Sequence, residues 1–162
     1  MTVPSATYRL QFREHLDFET AARLMPYLAR LGVSHVYASP LQTARRGSTH
    51  GYDGIDFEAM DPALGVFEGF RAMAAAMQAS GLRLLLDVVP NHMGVTPENP
   101  WWRDVLEWGA DSAYARHFDI DWSAPRLSLP ILGDTYARTL AKGDLKVGFD
   151  ATGGTFTVAY YD

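Results

Sequence analysis

The chain has 162 residues, 48% of them hydrophobic and 20% charged, enough for one ordinary core but short of the about 250 residues typical of a complete α/β barrel. A net charge of -5 with scattered Lys and Arg leaves no basic footprint, which argues against nucleic acid and anionic membrane as partners. There is no cysteine, hence no disulfide framework, and no run approaches the about 18 apolar residues of a membrane span.

Met1 to Ala6 has neither a basic start nor an apolar signal core, so a soluble cytoplasmic protein is expected. Residues 6–12 then alternate Tyr8, Leu10 and Phe12 with Thr7, Arg9 and Gln11, a strand period. Asp17 is placed to cap a helix whose apolar positions Phe18, Ala21, Ala22, Met25, Leu28 and Ala29 recur at three- and four-residue steps up to Gly32. Pro26 inside that pattern is expected to bend or break the helix, since it lacks an amide donor and crowds the preceding turn. A β-branched and aromatic run, residues 33–39, stops at Pro40 and predicts a second strand parallel to the first.

Residues 42–65 are polar and glycine-containing and read as a loop. A second amphipathic helix, with Phe70, Met73, Ala74 and Met77 on one face, closes at Gly81. Residues 82–92 read as an apolar strand, expected to be buried on both faces, that stops at a knot of polar groups including Asp87, Asn91 and His92. The alternation predicts an α/β domain with a parallel sheet, either doubly wound or part of a barrel.

Past His92 the rhythm fails. Pro97, Pro100, Pro125 and Pro130, with Trp101, Trp102, Trp108 and Trp122, predict a loop-rich inserted subdomain over 94–162 following a barrel portion over 1–93. Near its end, residues 146–149 and 155–160 flank Asp150 to Gly154 and predict a hairpin.

Two loops carry chemistry-bearing groups on one predicted rim. At the third strand's end Asp87 can accept, Asn91 can do both and His92 can donate to a hydroxyl, which suits a polyol. In the loop after the second strand, Tyr52 offers a flat face for a sugar ring, while His50 and Asp53 can bind hydroxyls. The structural alternatives are turn capping by Asp87, loop bracing by His92 and a Tyr52 plug. A metal site is a third option for Asp87, Asn91 and His92, but no further carboxylate stands at helical spacing to complete it.

Tyr37-Ala38-Ser39-Pro40, His50-Gly51-Tyr52-Asp53 and Asp87-Val88-Val89-Pro90-Asn91-His92, in that order, resemble the α-amylase superfamily of (β/α)₈-barrel glycosidases and transglycosidases. The flanking residues 6–12, 47–53, 99–102, 118–122, 129–133 and 160–162 resemble its trehalose-forming glucosylmutase branch. The resemblance implies an incomplete TIM barrel, its first three β/α units followed by the start of the insertion. The substrate it implies is a maltooligosaccharide or α-glucan whose reducing-end α-1,4 linkage is turned into α,α-1,1, with no cofactor and with a trehalose-releasing hydrolase as a functional partner. By the same resemblance Tyr52 stacks on the sugar, His92 bonds its hydroxyls, Asp87 orients the catalytic floor through an arginine on a later strand, and Asn91 braces the insertion. The nucleophilic Asp and acid Glu lie on later strands, beyond Asp162, so this chain alone is expected to lack glycosyl transfer. Another superfamily hydrolase, an α-glucanotransferase and a non-catalytic glucan binder are the alternatives.

Overall fold

The computed structural model describes residues 3–129 and 131–160, so Pro130, Tyr161 and Asp162 of the flanking motifs lie outside the described residues. Two units are distinguished, Met1–Phe118 and Asp119–Asp162. The first is built on a parallel sheet of β1 (Thr7–Leu10), β2 (His35–Ala38) and β5 (Arg83–Leu86), with α1 (Phe18–Leu31) joining the first pair. Between β2 and β5 come an antiparallel pair, β3 (Gln42–Ala44) and β4 (Gly54–Met60), and then α2 (Phe67–Ala79).

Strand order follows chain order, β1-β2-β5, with registers Arg9↔Tyr37 and Tyr37↔Leu85. Because side chains alternate along a strand, Leu10, Val36, Ala38 and Leu84 share one face while Arg9, Tyr37 and Leu85 share the other. The first face packs on Phe18, Ala21, Met25 and Leu28 of α1 and on Met73 and Met77 of α2, forming the core. Both crossover helices therefore lie on one side of consecutively ordered strands. That arrangement belongs to a barrel segment, since a doubly wound sheet distributes its helices over both faces.

The local signals for α1 operate as read. Asp17 accepts from the Thr20 amide at 2.7 Å and Gly32 closes the helix in the left-handed region at φ 87. Pro26 does not break α1, which runs unbroken from Phe18 to Leu31 with Pro26 on its exposed side.

The apolar run of β5 is not buried on both faces. Leu85 is 41% and Leu86 48% exposed, because β5 is an edge of a three-stranded sheet and no layer of described residues covers the Arg9-Tyr37-Leu85 face. β1 forms the other edge, with Tyr8 43% exposed. Exposed apolar edge strands of this kind are a general template for pairing with another strand.

The stretch read as a loop contains the β3/β4 hairpin. The sequence signal was present, since Ile55 and Phe57 alternate with Asp56 and Glu58. α3 (Pro100–Trp108) also interrupts the expected irregular region, with the Asn99 side chain accepting from the Trp101 and Trp102 amides and Pro100 at the first helical position. In the second unit α4 (Tyr136–Lys142) precedes the expected hairpin of β6 (Leu145–Asp150) and β7 (Thr155–Tyr160). No described helix is long and apolar enough to cross a membrane.

A buried ion pair ties the loop ends of the first unit together. The Arg13 guanidinium, on a 3% exposed side chain, donates to Asp61 and to the carbonyls of Pro40 (3.3 Å) and Gln42 (3.2 Å). Asp61 also accepts from the Ala44 and Ala63 amides at 2.9 Å. Arg13 lies at φ 104, held by reciprocal backbone bonds to Leu16 of 3.0 Å each. Removing one partner of a buried pair strands the other charge, so Asp61→Ala is expected to cost about 3–5 kcal/mol. The midpoint of urea unfolding reads the loss, and an unchanged midpoint would exclude the pair as a stabilising tie.

Candidate functional site

The open face of the sheet carries the polar groups. Arg9 points there from β1 and Tyr37 from β2, while Asp87 follows Leu85 by two residues and emerges on the same side at the carboxyl end of β5. Three donors converge on one carboxylate oxygen. Asp87 Oδ2 accepts from Arg9 Nη1 at 2.9 Å, from the Tyr37 hydroxyl at 3.1 Å and from the Tyr52 hydroxyl at 2.5 Å. Arg9 Nη2 also donates to the Tyr52 hydroxyl at 2.8 Å, and its guanidinium carbon stands 4.6 Å from the Tyr37 ring centroid. No hydrogen bond among the described residues reaches Asp87 Oδ1, leaving one acceptor oxygen on a side chain that is 10% exposed.

The charges follow from these contacts. The Tyr52 hydrogen bond, with those of Arg9 and Tyr37, outweighs desolvation and holds the Asp87 carboxyl below its ordinary value. The same bond to Asp87 raises the Tyr52 phenol above its ordinary value, an effect the nearby Arg9 charge opposes. The Arg9 guanidinium is in turn stabilised in its charged form by Asp87. The cluster is thus one carboxylate, one guanidinium and two neutral phenols.

His92 reaches the same loop from the other end. Its Nε2 lies 2.9 Å from the Tyr52 carbonyl, which can only accept, so Nε2 carries the proton. Nδ1 faces the Asn91 amide group at 3.4 Å, and both residues are exposed. The Tyr52 amide donates to His50 Nδ1 at 3.0 Å, and the His50 and Tyr52 rings lie nearly parallel with centroids 5.9 Å apart. Five of the six expected residues, His50, Tyr52, Asp87, Asn91 and His92, therefore belong to one contiguous patch.

Asp53 is turned into its own loop. It accepts from the Ser48 hydroxyl and from Arg45 Nε at 2.7 Å; burial opposes its charge, but these two bonds prevail and keep its carboxyl below the ordinary range. The loop is packed closely from behind. A Cβ at Gly51 would lie 2.7 Å from Arg13 Nη2, and Gly51 has φ 81, so both space and backbone require glycine next to Tyr52.

The segment after His92 docks on this loop. The Gly94 amide donates to the Gly54 carbonyl at 2.7 Å, and a Cβ at Gly94 would stand 3.0 Å from the Asp53 carbonyl oxygen. Glu98 accepts from the Arg46 amide at 2.7 Å, and the fully buried Asn99 donates to the Gly94 carbonyl at 3.2 Å. Asn99, rather than the exposed Asn91, is the buried polar brace of this segment. Trp102 is buried against Phe118, Trp101 stacks on Tyr114 at 5.1 Å, and Trp108 and Trp122 are 60% and 42% exposed. Among the described residues no three His, Asp or Glu side chains gather closely enough to hold a metal ion.

Residues 17–132 match the family model for the alpha amylase catalytic domain. The chain belongs to that family. Within it, 151 residues are 46% identical to a putative maltooligosyl trehalose synthase of Mycobacterium tuberculosis, covering 86% of this chain and 20% of that protein. An intracellular maltogenic amylase of Bacillus subtilis is 33% identical over 129 residues, 80% of this chain and 20% of its own length. Among solved structures, maltooligosyltrehalose synthase from Arthrobacter ramosus superposes with a TM-score of 0.83 at 43% identity over 98% of this chain and 20% of that one. A crystal structure of maltooligosyl trehalose synthase gives 0.88 at 36% identity, over 99% and 22%. The chain thus spans about one fifth of the length of these relatives.

Arg9 and Tyr37 join the site without having been expected there from the sequence. The signal for Arg9 was its place in the alternation, opposite Tyr8 and Leu10, near the carboxyl end of a parallel strand of this amylase-type barrel segment.

Since the folded Asp87 titrates below its unfolded value, about 3.9, the cluster's contribution to stability is present above that pH and is lost as pH falls through the depressed folded value. Asp87→Asn is expected to flatten this acid dependence. It is also expected to bring the Tyr52 phenol back down toward the ordinary value near 10, read as the ultraviolet titration that Tyr52→Phe removes.

Proposed function

We propose that this chain is the amino-terminal part of an intramolecular transglucosylase, a maltooligosyl trehalose synthase, which converts the reducing-end α-1,4 linkage of a maltooligosaccharide to α,α-1,1. The reading is supported by the relatives named above. It is carried by one observation: beside the carboxyl end of β5, Tyr52 is held by its hydroxyl to the ionised Asp87 and by its backbone carbonyl to the His92 imidazole, on a sheet face that no layer of described residues covers. That is a one-sided cradle of the kind a hexose requires, a flat apolar wall beside groups that accept and donate hydrogen bonds.

In this reading the Tyr52 ring lies against the C-H face of the glucosyl unit. His92 and His50 supply donors to its hydroxyls, His92 exchanging its bond to the Tyr52 carbonyl for one to substrate. Asp87, its Oδ2 saturated, offers Oδ1 to an arginine of a later strand and so orients the floor. Asp53 shapes the loop, and Asn91 lines the start of an insertion over 94–162 that follows the barrel portion over 1–93. The nucleophilic Asp and acid Glu lie in the polypeptide beyond residue 162. The whole enzyme acts in the cytoplasm, upstream of a hydrolase that releases trehalose from its product. Released glucose turning in the site competes with water for the glycosyl-enzyme, so exclusion of water sets the outcome.

The complete protein carrying this chain, incubated with a long maltooligosaccharide, is expected to lose reducing ends without releasing much glucose. A rapid rise in reducing sugar instead assigns it to the hydrolases. Tyr52→Ala and His92→Ala are each expected to weaken maltooligosaccharide binding roughly tenfold, the scale of one stacking or hydrogen-bonding contact of about 1.4 kcal/mol. Unchanged affinity in both would remove these residues from the binding site.

A further inference from the structure

We infer that Arg9 is a positioning residue that fixes the hydroxyl end of the Tyr52 ring, acting on substrate only through that ring. The inference rests on the reading of Tyr52 as the sugar-facing wall. It concerns a residue that lies on a different strand from every group assigned to the site, and four contacts carry it.

The guanidinium is planar and presents its donors as a rigid fork. One arm, Nη2, donates to the Tyr52 hydroxyl at 2.8 Å, and the other, Nη1, to Asp87 Oδ2 at 2.9 Å. The plane is itself seated, with its carbon 4.6 Å from the centroid of the Tyr37 ring, and the Tyr37 hydroxyl bonds the same Asp87 oxygen at 3.1 Å. Arg9 is thereby fixed by β2 and β5 before it touches Tyr52.

Tyr52 is consequently held at both ends. Its backbone is tied through its amide to His50 and through its carbonyl to His92. Its hydroxyl donates to Asp87 and accepts from Arg9, so its one proton is committed and the phenol offers a ligand chiefly its ring face, with no hydrogen bond to donate. A single bond to Asp87 would leave the hydroxyl end of the ring free to swing around that carboxylate oxygen. The second bond, arriving from β1, pins that end between two partners. Lysine cannot substitute, because an ammonium lacks both the fork and the flat face that stacks on Tyr37.

The experiment uses the complete protein carrying Arg9→Lys, Arg9→Met, Tyr52→Phe and the Arg9→Met/Tyr52→Phe pair, each checked for an intact thermal transition. Arg9→Met is expected to lower kcat/KM on a maltooligosaccharide on the order of tenfold or more, as misplacement of a contact group does, and Arg9→Lys is expected to recover little of it. In the Tyr52→Phe background, where the hydroxyl handle is gone, the same Arg9→Met change is expected to have a several-fold smaller effect. Equal effects in the two backgrounds, or full activity in Arg9→Lys, would overturn the inference. A readout independent of turnover is the Tyr52 phenol titration, which Arg9→Met should move further above the ordinary tyrosine value because a neighbouring positive charge is lost; an unmoved titration also overturns it. If the wild-type protein turns over no maltooligosaccharide, the proposed function fails while the titration still decides the coupling of Arg9 to Tyr52.

Discussion

The site depends on a single carboxylate oxygen. Asp87 Oδ2 receives Arg9 from β1, Tyr37 from β2 and Tyr52 from the hairpin loop, so three segments that are far apart in the chain are registered to one another at one point. Each hydrogen bond to a charged group contributes on the order of 1.5–3 kcal/mol net. An exposed helix pair such as Glu19 with Arg23 is worth about 0.3–0.5 kcal/mol, whereas the half-buried Asp87 gathers three such bonds at one oxygen. The convergence is possible only because parallel pairing puts positions 9, 37 and 85 abreast and side chains two residues apart on one face.

A second tie works below the first. The Arg13 and Asp61 pair is buried among loop carbonyls and amides, and its guanidinium is the surface against which Gly51 rests. One ion pair thus fixes the base of the loop and the other its aromatic tip. Between them the loop carrying His50, Tyr52 and Asp53 has little room to wander, even though the sheet face beneath is open to solvent. Rigid supports hold these groups in place whether or not anything is bound to them.

α1, α2 and the strands they join were legible because their signals are local. Asp17 and Gly32 bracket α1 by capping chemistry, and the faces of α1 and α2 repeat at helical spacing whatever lies around them. The β3/β4 hairpin was harder to see, for its strands are short, irregular in register and half polar. α3 escaped because two prolines and paired tryptophans mask a helix that begins with an Asn cap and a first-position proline. Among the site residues, Asp87 and Tyr52 stood out by motif, whereas Arg9 looked like any polar member of an alternating strand.

Sequence alone determined β1, α1, β2, α2, β5 and the closing hairpin, the pairing of an acidic strand end with an aromatic loop, and membership of the amylase family, because each rests on residues near one another in the chain or on motifs in fixed order. Tertiary structure decided which side of the sheet carries the helices, which strands remain edges, that Asp53 serves its loop while Asp87 serves the site, and that Arg9 joins them. Those outcomes depend on register between distant segments and on what is absent beside an edge. A one-dimensional pattern cannot encode either, since the same alternation of apolar and polar residues fits both a covered strand and a bare one.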